Sequence, residues 1–220
     1  MKKTTVCGLG AALLFAVPAL ADGTNQYNDR TAFESALGTI VLDDYQAAGY
    51  LQGDIFSGPT LDIHTNAHMS GILGETEYFT TGFNNWNFIF GPEGGNKIYC
   101  AGCNGSFRLI FTSTSVGTAS GVYGAGFDVL TNSSALPYHA FITFGDNTTL
   151  DVALPAGASF FGITSKLDIQ SIHLGLAGGG FTTSGSFQMD NLTIGNVVPA
   201  PGVLVLLGLA GFASRRRRRR

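Results

Sequence analysis

Tyr138-His139-Ala140-Phe141-Ile142-Thr143-Phe144-Gly145-Asp146-Asn147-Thr148-Thr149-Leu150-Asp151-Val152-Ala153-Leu154 is the stretch that decides the fold class. Tyr138, Ala140, Ile142 and Phe144 occupy every second position, and so do Leu150, Val152 and Leu154. A period of two places each set on one face of an extended strand. The five residues from Phe144 to Thr148 carry Gly, Asp and Asn between the two runs, so the chain folds back there as a β-hairpin. Working outward, Trp86/Phe88/Phe90 and Phe107/Leu109/Phe111 repeat the alternation. Strand-like runs are read at 39–45, 61–65, 86–90, 107–113, 122–130, 138–144, 148–154, 160–164, 169–176 and 187–194, separated by Gly, Asn, Asp and Ser. That rhythm implies an all-β antiparallel sandwich. One helix is expected over 31–37, where Asp29 supplies a cap.

Composition agrees. Glycine makes up 31 of 220 residues, about twice the usual ~7%, and only 12% of the chain is charged, which excludes a coiled coil or charged helical bundle. The 17 Phe and 7 Tyr exclude a disordered polymer. The net charge of −3 hides a partition. Lys2 and Lys3 stand at one end and Arg215, Arg216, Arg217, Arg218, Arg219 and Arg220 at the other. Between them only Arg30, Lys97, Arg108 and Lys166 face 15 acids, so the body carries −11 and nucleic acid is excluded as its partner.

The two ends read as addresses. Met1-Lys2-Lys3, an apolar run over 6–20 and Ala19-Leu20-Ala21 before Asp22 have the three-part layout of a secretory signal peptide cleaved by signal peptidase after Ala21. Cys7 precedes the apolar core and is discarded with it. An N-terminal membrane anchor is the alternative, and the run is short for one. At the other end, Val198-Pro199-Ala200-Pro201-Gly202 opens an uncharged segment that closes on Ser214 and six Arg. The 17 residues over 197–213 would span about 25 Å as a helix, the short limit for a transmembrane segment, with the Arg block on the cytoplasmic side. The boundaries that follow are a signal peptide at 1–21, a β-sandwich at 22–196 and a tail at 197–220.

A Pro-x-Pro motif, a short apolar helix with Gly208 and Gly211, and a terminal Arg cluster together resemble the PEP-CTERM sorting signal, also catalogued as the ice-binding protein C-terminal domain. Ala200 stands where the name-giving motif has Glu, so the tail is similar to a Pro-Ala-Pro-Gly variant. The resemblance implies recognition at the membrane by an exosortase and cleavage near the Pro motif. Pro199 and Pro201 lack N–H donors and disfavour helix before them, which keeps those bonds extended. The body, from Leu154-Pro155-Ala156-Gly157 through Met189-Asp190-Asn191-Leu192, resembles that of other PEP-CTERM proteins and of jelly-roll carbohydrate-binding modules. This second resemblance implies a jelly-roll-like topology. It also implies a structural calcium held by an early and a late strand, for which Asp43, Asp44 and Asp190 are the candidates, hard oxygen donors of the kind Ca²⁺ takes.

In an exported chain, Cys100-Ala101-Gly102-Cys103 reads as a short disulfide loop. A redox motif would need a helix start in a βαβ setting, and a zinc site a second ligand pair. His64 and His68 have helical spacing, but they are read on a strand entering a loop and so are not expected to converge. Glu75 and Glu77 read as solvated loop acids. Trp86 is read into the core with Phe88 and Phe90, whereas Tyr78 and Phe79 are the better candidates for an exposed, sugar-stacking loop; Tyr45, Tyr50, Tyr99 and Tyr123 complete the aromatic set. No nucleophile elbow, P-loop or HExxH is present. The expectation is therefore a non-enzymatic, exported protein, anchored and then processed to the cell surface or extracellular matrix, with a body that binds polysaccharide. A secreted carbohydrate-active enzyme and a plain single-pass envelope protein are the alternatives.

Overall fold

The computed structural model describes residues 23–51, 54–55, 61–82, 85–91, 95–100, 105–132, 137–179 and 187–198. Among these described residues thirteen strands and two α-helices follow in order: β1 Asn25–Tyr27, α1 Arg30–Ser35, β2 Leu37–Asp43, β3 Asp54–Ile55, β4 Leu61–His64, α2 Asn66–Leu73, β5 Glu77–Thr80, β6 Asn87–Phe90, β7 Ile98–Cys100, β8 Phe107–Ile110, β9 Val122–Asn132, β10 Tyr138–Phe144, β11 Thr149–Ala153, β12 Ser159–Leu176 and β13 Phe187–Val197. Every ladder is antiparallel. The chain is all-β and sandwich-like.

The long strand β12 joins the two layers. Its first part, through Thr164, pairs with β9 and β1; its second, from Ile169, pairs with β10 and β8. One layer thus runs β1-β12-β9-β13, continued beyond β13 by β2 along one stretch and by β7-β6-β4-β3 along another. The other runs β11-β10-β12-β8-β5. Alternation builds the core between them: Tyr138, Ala140, Ile142 and Phe144 of β10 are buried, with half-buried residues between. Tyr138 stacks on Phe187 of the opposite layer at 5.1 Å, and Phe107 meets Tyr99 edge-on at 4.9 Å. The Phe144–Thr148 hairpin closes as the sequence predicts. Asn147 takes a left-handed φ of 66°, and Asp146 Oδ1 accepts from both the amide and the hydroxyl of Thr148.

Several boundaries differ from the expected ones. The helix at 31–37 is Arg30–Ser35, and Leu37 opens β2. The Asp29 cap is as expected, its Oδ1 accepting from Ala32 N at 2.8 Å. The runs at 160–164 and 169–176 are one strand. A second helix, α2, was not expected. Thr65 caps it by accepting from His68 N at 3.2 Å, and Gly74 ends it at φ 73°. Trp86 lies before β6 and is 38% exposed, and Phe90 also faces solvent, so only Phe88 of that trio is core. Strand β13 runs one residue past the expected domain limit, with Val197 paired to Leu37. Among the described residues no helix is long and apolar enough to cross a membrane. The signal peptide at 1–21 and the tail from Pro199 onward lie outside the described residues.

Candidate functional site

Between Thr164 and Ile169 β12 leaves one layer and enters the other, and the backbone must turn. Asp168 takes a left-handed φ of 58°, Leu167 N–H bonds the Ser165 hydroxyl at 3.2 Å, and Gly145 N–H bonds the Leu167 carbonyl at 3.0 Å. The loop over 115–121 lies against this corner. Its own turn is closed by Thr118 N–H to Gly121 O at 2.7 Å, with the reverse bond at 3.0 Å. It is pinned twice from outside: Glu75 accepts from the Ser115 amide and hydroxyl at 2.7 and 2.8 Å, and the Thr118 hydroxyl donates to Asp168 Oδ2 at 2.9 Å.

Corner and loop enclose an open cleft of about 440 Å³, whose chemistry comes from Tyr123, Lys166, Asp168, Thr118 and Asn196. Tyr123 packs one side against the small apolar cluster of Phe33, Leu37 and Phe160 and gives the cleft an aromatic wall. Lys166 is exposed and makes no ion pair among the described residues. Asn196 Oδ1 accepts from Thr39 N–H at 2.7 Å, which orients the carboxamide and leaves its N–H donors for other partners. An aromatic ring beside a cation, an amide and a carboxylate, in a volume within the usual range for ligand sites, suits a polyhydroxylated ligand.

The sequence singles out a different place. Asp43, at the end of β2, is buried in a cage of tyrosines. Its Oδ2 accepts from the hydroxyls of Tyr50 and, at 3.0 Å, Tyr78; its Oδ1 accepts from the Tyr45 amide at 3.1 Å. The Tyr45 and Tyr78 hydroxyls lie 3.2 Å apart, and Tyr99 packs on both rings. Burial raises the Asp43 carboxyl above the usual carboxylate range, against the pull of the hydroxyl and amide donors. Burial and the facing carboxylate also push the Tyr45, Tyr50 and Tyr78 phenols up. Asp44 is exposed and accepts from Gln46 N at 3.0 Å. Asp190 accepts from Asn191 N at 2.7 Å and Asn96 Nδ2 at 3.1 Å, and burial, then the charges of Asp128 and Asp44, raises its carboxyl. The structure does not gather Asp43, Asp44 and Asp190 into one ligand set: no group of three or more His, Cys, Asp or Glu among the described residues is placed to hold a metal.

The aromatic expectations are largely reversed. Tyr45, Tyr50, Tyr78 and Tyr99 are core residues, and of the pair Tyr78/Phe79 only Phe79 is exposed, at 47%. A tyrosine hydroxyl suggests a wet surface, but here those of Tyr50 and Tyr78 donate to one buried acid, that of Tyr45 meets the Tyr78 hydroxyl, and that of Tyr99 donates to Asn87 Oδ1 at 2.8 Å. Glu75 is bonded to Ser115, whereas Glu77 lies exposed on β5. His64 and His68, not expected to meet, are brought together with their Nδ1 atoms 3.2 Å apart. Cys100 is buried in β7 and disulfide-bonded; Cys103 lies outside the described residues. Of the sorting motif only Val198 is described, exposed just after β13; Pro199, Ala200, Pro201, Gly202 and the six Arg lie outside.

No family model and no curated protein matches the chain. Two solved structures are similar at 13% identity and a TM-score of 0.27. One is a family 11 carbohydrate-binding module from Clostridium thermocellum in complex with a β-1,3-1,4-mixed-linked tetrasaccharide, covering 66% of this chain and 100% of that one. The other is the family 11 module of the cellulosomal cellulase Lic26A-Cel5E of Clostridium thermocellum, covering 69% of this chain and 96% of that one.

Proposed function

We propose that this chain is an exported, non-enzymatic envelope or matrix protein whose jelly-roll-like body binds a neutral polysaccharide in the cleft at the β12 corner. The observation that carries the binding reading is the wall of that cleft. Tyr123 contributes an aromatic ring, and Lys166, Asn196 and Asp168 contribute donors and an acceptor to the same lining. The Thr118 hydroxyl and the Thr39 N–H hold Asp168 and Asn196 in place before any ligand arrives, which limits the ordering entropy of binding. The body's charge of −11 disfavours polyanionic glycans and leaves neutral ones as the fitting class.

The address segments support the remainder. Lys2 and Lys3 before an apolar run, with Ala21 at the cleavage position, favour export through signal peptidase. The Pro199/Pro201 motif, apolar segment and Arg cluster favour a membrane-held precursor that an exosortase trims. Affinity electrophoresis of the full chain through gels containing neutral β-glucans or mannans tests the binding. Retardation by at least one polysaccharide, lost in Tyr123→Ala, is expected; equal mobility in every gel refutes it. Mass spectrometry of the native protein tests the sorting. A mature chain starting at Asp22 and lacking Arg215 to Arg220 is expected, and an intact Arg block would mean a plain anchor.

A further inference from the structure

His64 ends β4 and His68 sits in the first turn of α2, and the cap at Thr65 fixes the angle between the two elements. The result sets two imidazoles face to edge, with ring centroids 4.8 Å apart and an interplanar angle of 82°. His64 Nε2 lies 3.3 Å from the Tyr50 carbonyl oxygen. A carbonyl can only accept, so Nε2 carries the proton of the neutral ring and the Nδ1 lone pair is directed toward His68. The two Nδ1 atoms are 3.2 Å apart. Metal-free, a single proton on His68 Nδ1 bridges them.

From this arrangement we infer that His64 and His68 form a two-histidine site for a divalent transition ion of the copper, nickel and zinc class. At metal–nitrogen distances of about 2.0–2.1 Å, two nitrogens 3.2 Å apart subtend about 100° at one ion, between the tetrahedral and square-planar angles. The ion takes the place of the bridging proton, which passes through solvent to His68 Nε2, so that both rings ligate as neutral imidazoles through Nδ1. A ligating imidazole typically donates its second N–H to a backbone carbonyl or carboxylate, and His64 already does so to Tyr50. His64 is buried and anchored, whereas half-buried His68 leaves a path for the ion. The first turn of a helix opposes a cation. Asp62 offsets this: it is buried two residues before His64 on the same face of β4, accepts no hydrogen bond among the described residues, and its charge acts on His64. The protein supplies two ligands, so the remaining positions are open to water or to an oxygen donor from outside.

The test titrates Zn²⁺ and Cu²⁺ separately into the purified, untagged, EDTA-stripped full chain by calorimetry, with electron paramagnetic resonance at one equivalent of Cu²⁺. One saturable equivalent is expected, tighter for Cu²⁺ than for Zn²⁺, with nitrogen hyperfine structure from two imidazoles. His68→Ala should weaken both ions at least about tenfold, while His139→Ala, on β10 and paired there with Asp151, should leave both unchanged. Absence of saturable binding, or unchanged affinity in His68→Ala, overturns the site. Should His68→Ala fail to fold, diethyl pyrocarbonate labelling of the wild type decides: protection of His68 by Zn²⁺ supports the site, and equal labelling with and without Zn²⁺ refutes it.

Discussion

Tyr78→Phe removes one oxygen from the centre of the tyrosine cage and nothing else. The ring stays packed against Tyr99 at 5.5 Å, but Asp43 Oδ2 loses a donor at 3.0 Å where the native side chain is only 2% exposed. Water has no ready access to replace it. A hydrogen bond to a charged group contributes about 1.5–3 kcal/mol, and Asp43 keeps the Tyr50 hydroxyl and the Tyr45 amide. The lower part of that range applies, about 2 kcal/mol, or a fall in Tm of about 4–8 °C for a domain of this size. The pH dependence follows from the same bonds. Because burial raises Asp43 above its unfolded value, the native state holds that proton more tightly. The stability this gives is present below the ordinary carboxylate range and is lost as pH rises through the folded pKa. The Tyr78 hydroxyl opposes that loss, because it favours the ionised form. The deficit of Tyr78→Phe is therefore largest where Asp43 is ionised and shrinks as pH falls through its raised folded pKa. Urea unfolding of both proteins at pH 7 and pH 4.5 measures it. A deficit under about 0.5 kcal/mol at pH 7, the usual scatter of surface substitutions, or one that grows on acidification, refutes the cage as a charge-stabilising unit.

Three further outcomes are expected. Gly121→Ala should destabilise by at least about 3 kcal/mol: φ is +123° and a Cβ would lie 2.0 Å from the Ile169 carbonyl oxygen, backbone against backbone; an unchanged urea midpoint would mean that the loop does not rest on β12. His173, buried on β12 with Thr81 Oγ1 3.1 Å from its Nε2, is pushed down to about 4, by burial first and then by Arg108. The unfolded chain takes up this proton near 6.5, so stability is full above that pH and is lost as pH falls toward 4; the shift is worth about 3 kcal/mol, reduced to about 2 by residual solvent contact, and His173→Gln should flatten urea midpoints between pH 7 and 4.5. Tyr123→Ala should abolish glycan retardation while moving Tm by only a few degrees, and a variant that binds as the wild type does places the ligand elsewhere.

The parts of the fold set by local alternation could be read directly. The hairpin of β10 and β11 has both its period and its turn residues in sequence, and the structure pairs His139 with Ala153 through to Thr143 with Thr149. α2 could not be read that way, because eight residues with one buried side chain, Met69, carry almost no periodic signal. Its evident marks are the ends, Thr65 and Gly74, nine positions apart in a run otherwise dominated by strands. Missing that helix also hid the meeting of His64 and His68, since a strand entering a loop points residues four apart in unrelated directions. The tyrosine cage escaped for a different reason. Tyrosine has an apolar ring and a polar tip, and which one decides its burial depends on whether a partner waits inside. Asp43 is that partner, and a buried acid looks no different in sequence from an exposed one such as Asp44.

The break read between the runs at 160–164 and 169–176 is where the fold and the candidate site coincide. Ser165, Lys166, Leu167 and Asp168 interrupt the apolar pattern, and in sequence such an interruption has the form of a loop between two strands. In the structure the strand continues and changes partners there, from β9 and β1 to β10 and β8. A strand serving two layers has to bend at the crossing, and bending leaves its backbone groups without ladder partners over those residues. The Ser165 hydroxyl, Gly145 N–H and the left-handed Asp168 meet that demand locally, with polar side chains instead of packed apolar ones. The cleft lies at that bend: Lys166 and Asp168, two of the residues that make it, line the gap together with the 115–121 loop, Tyr123 and Asn196. A substitution that straightened the corner would therefore be expected to close the site and strain the sandwich together.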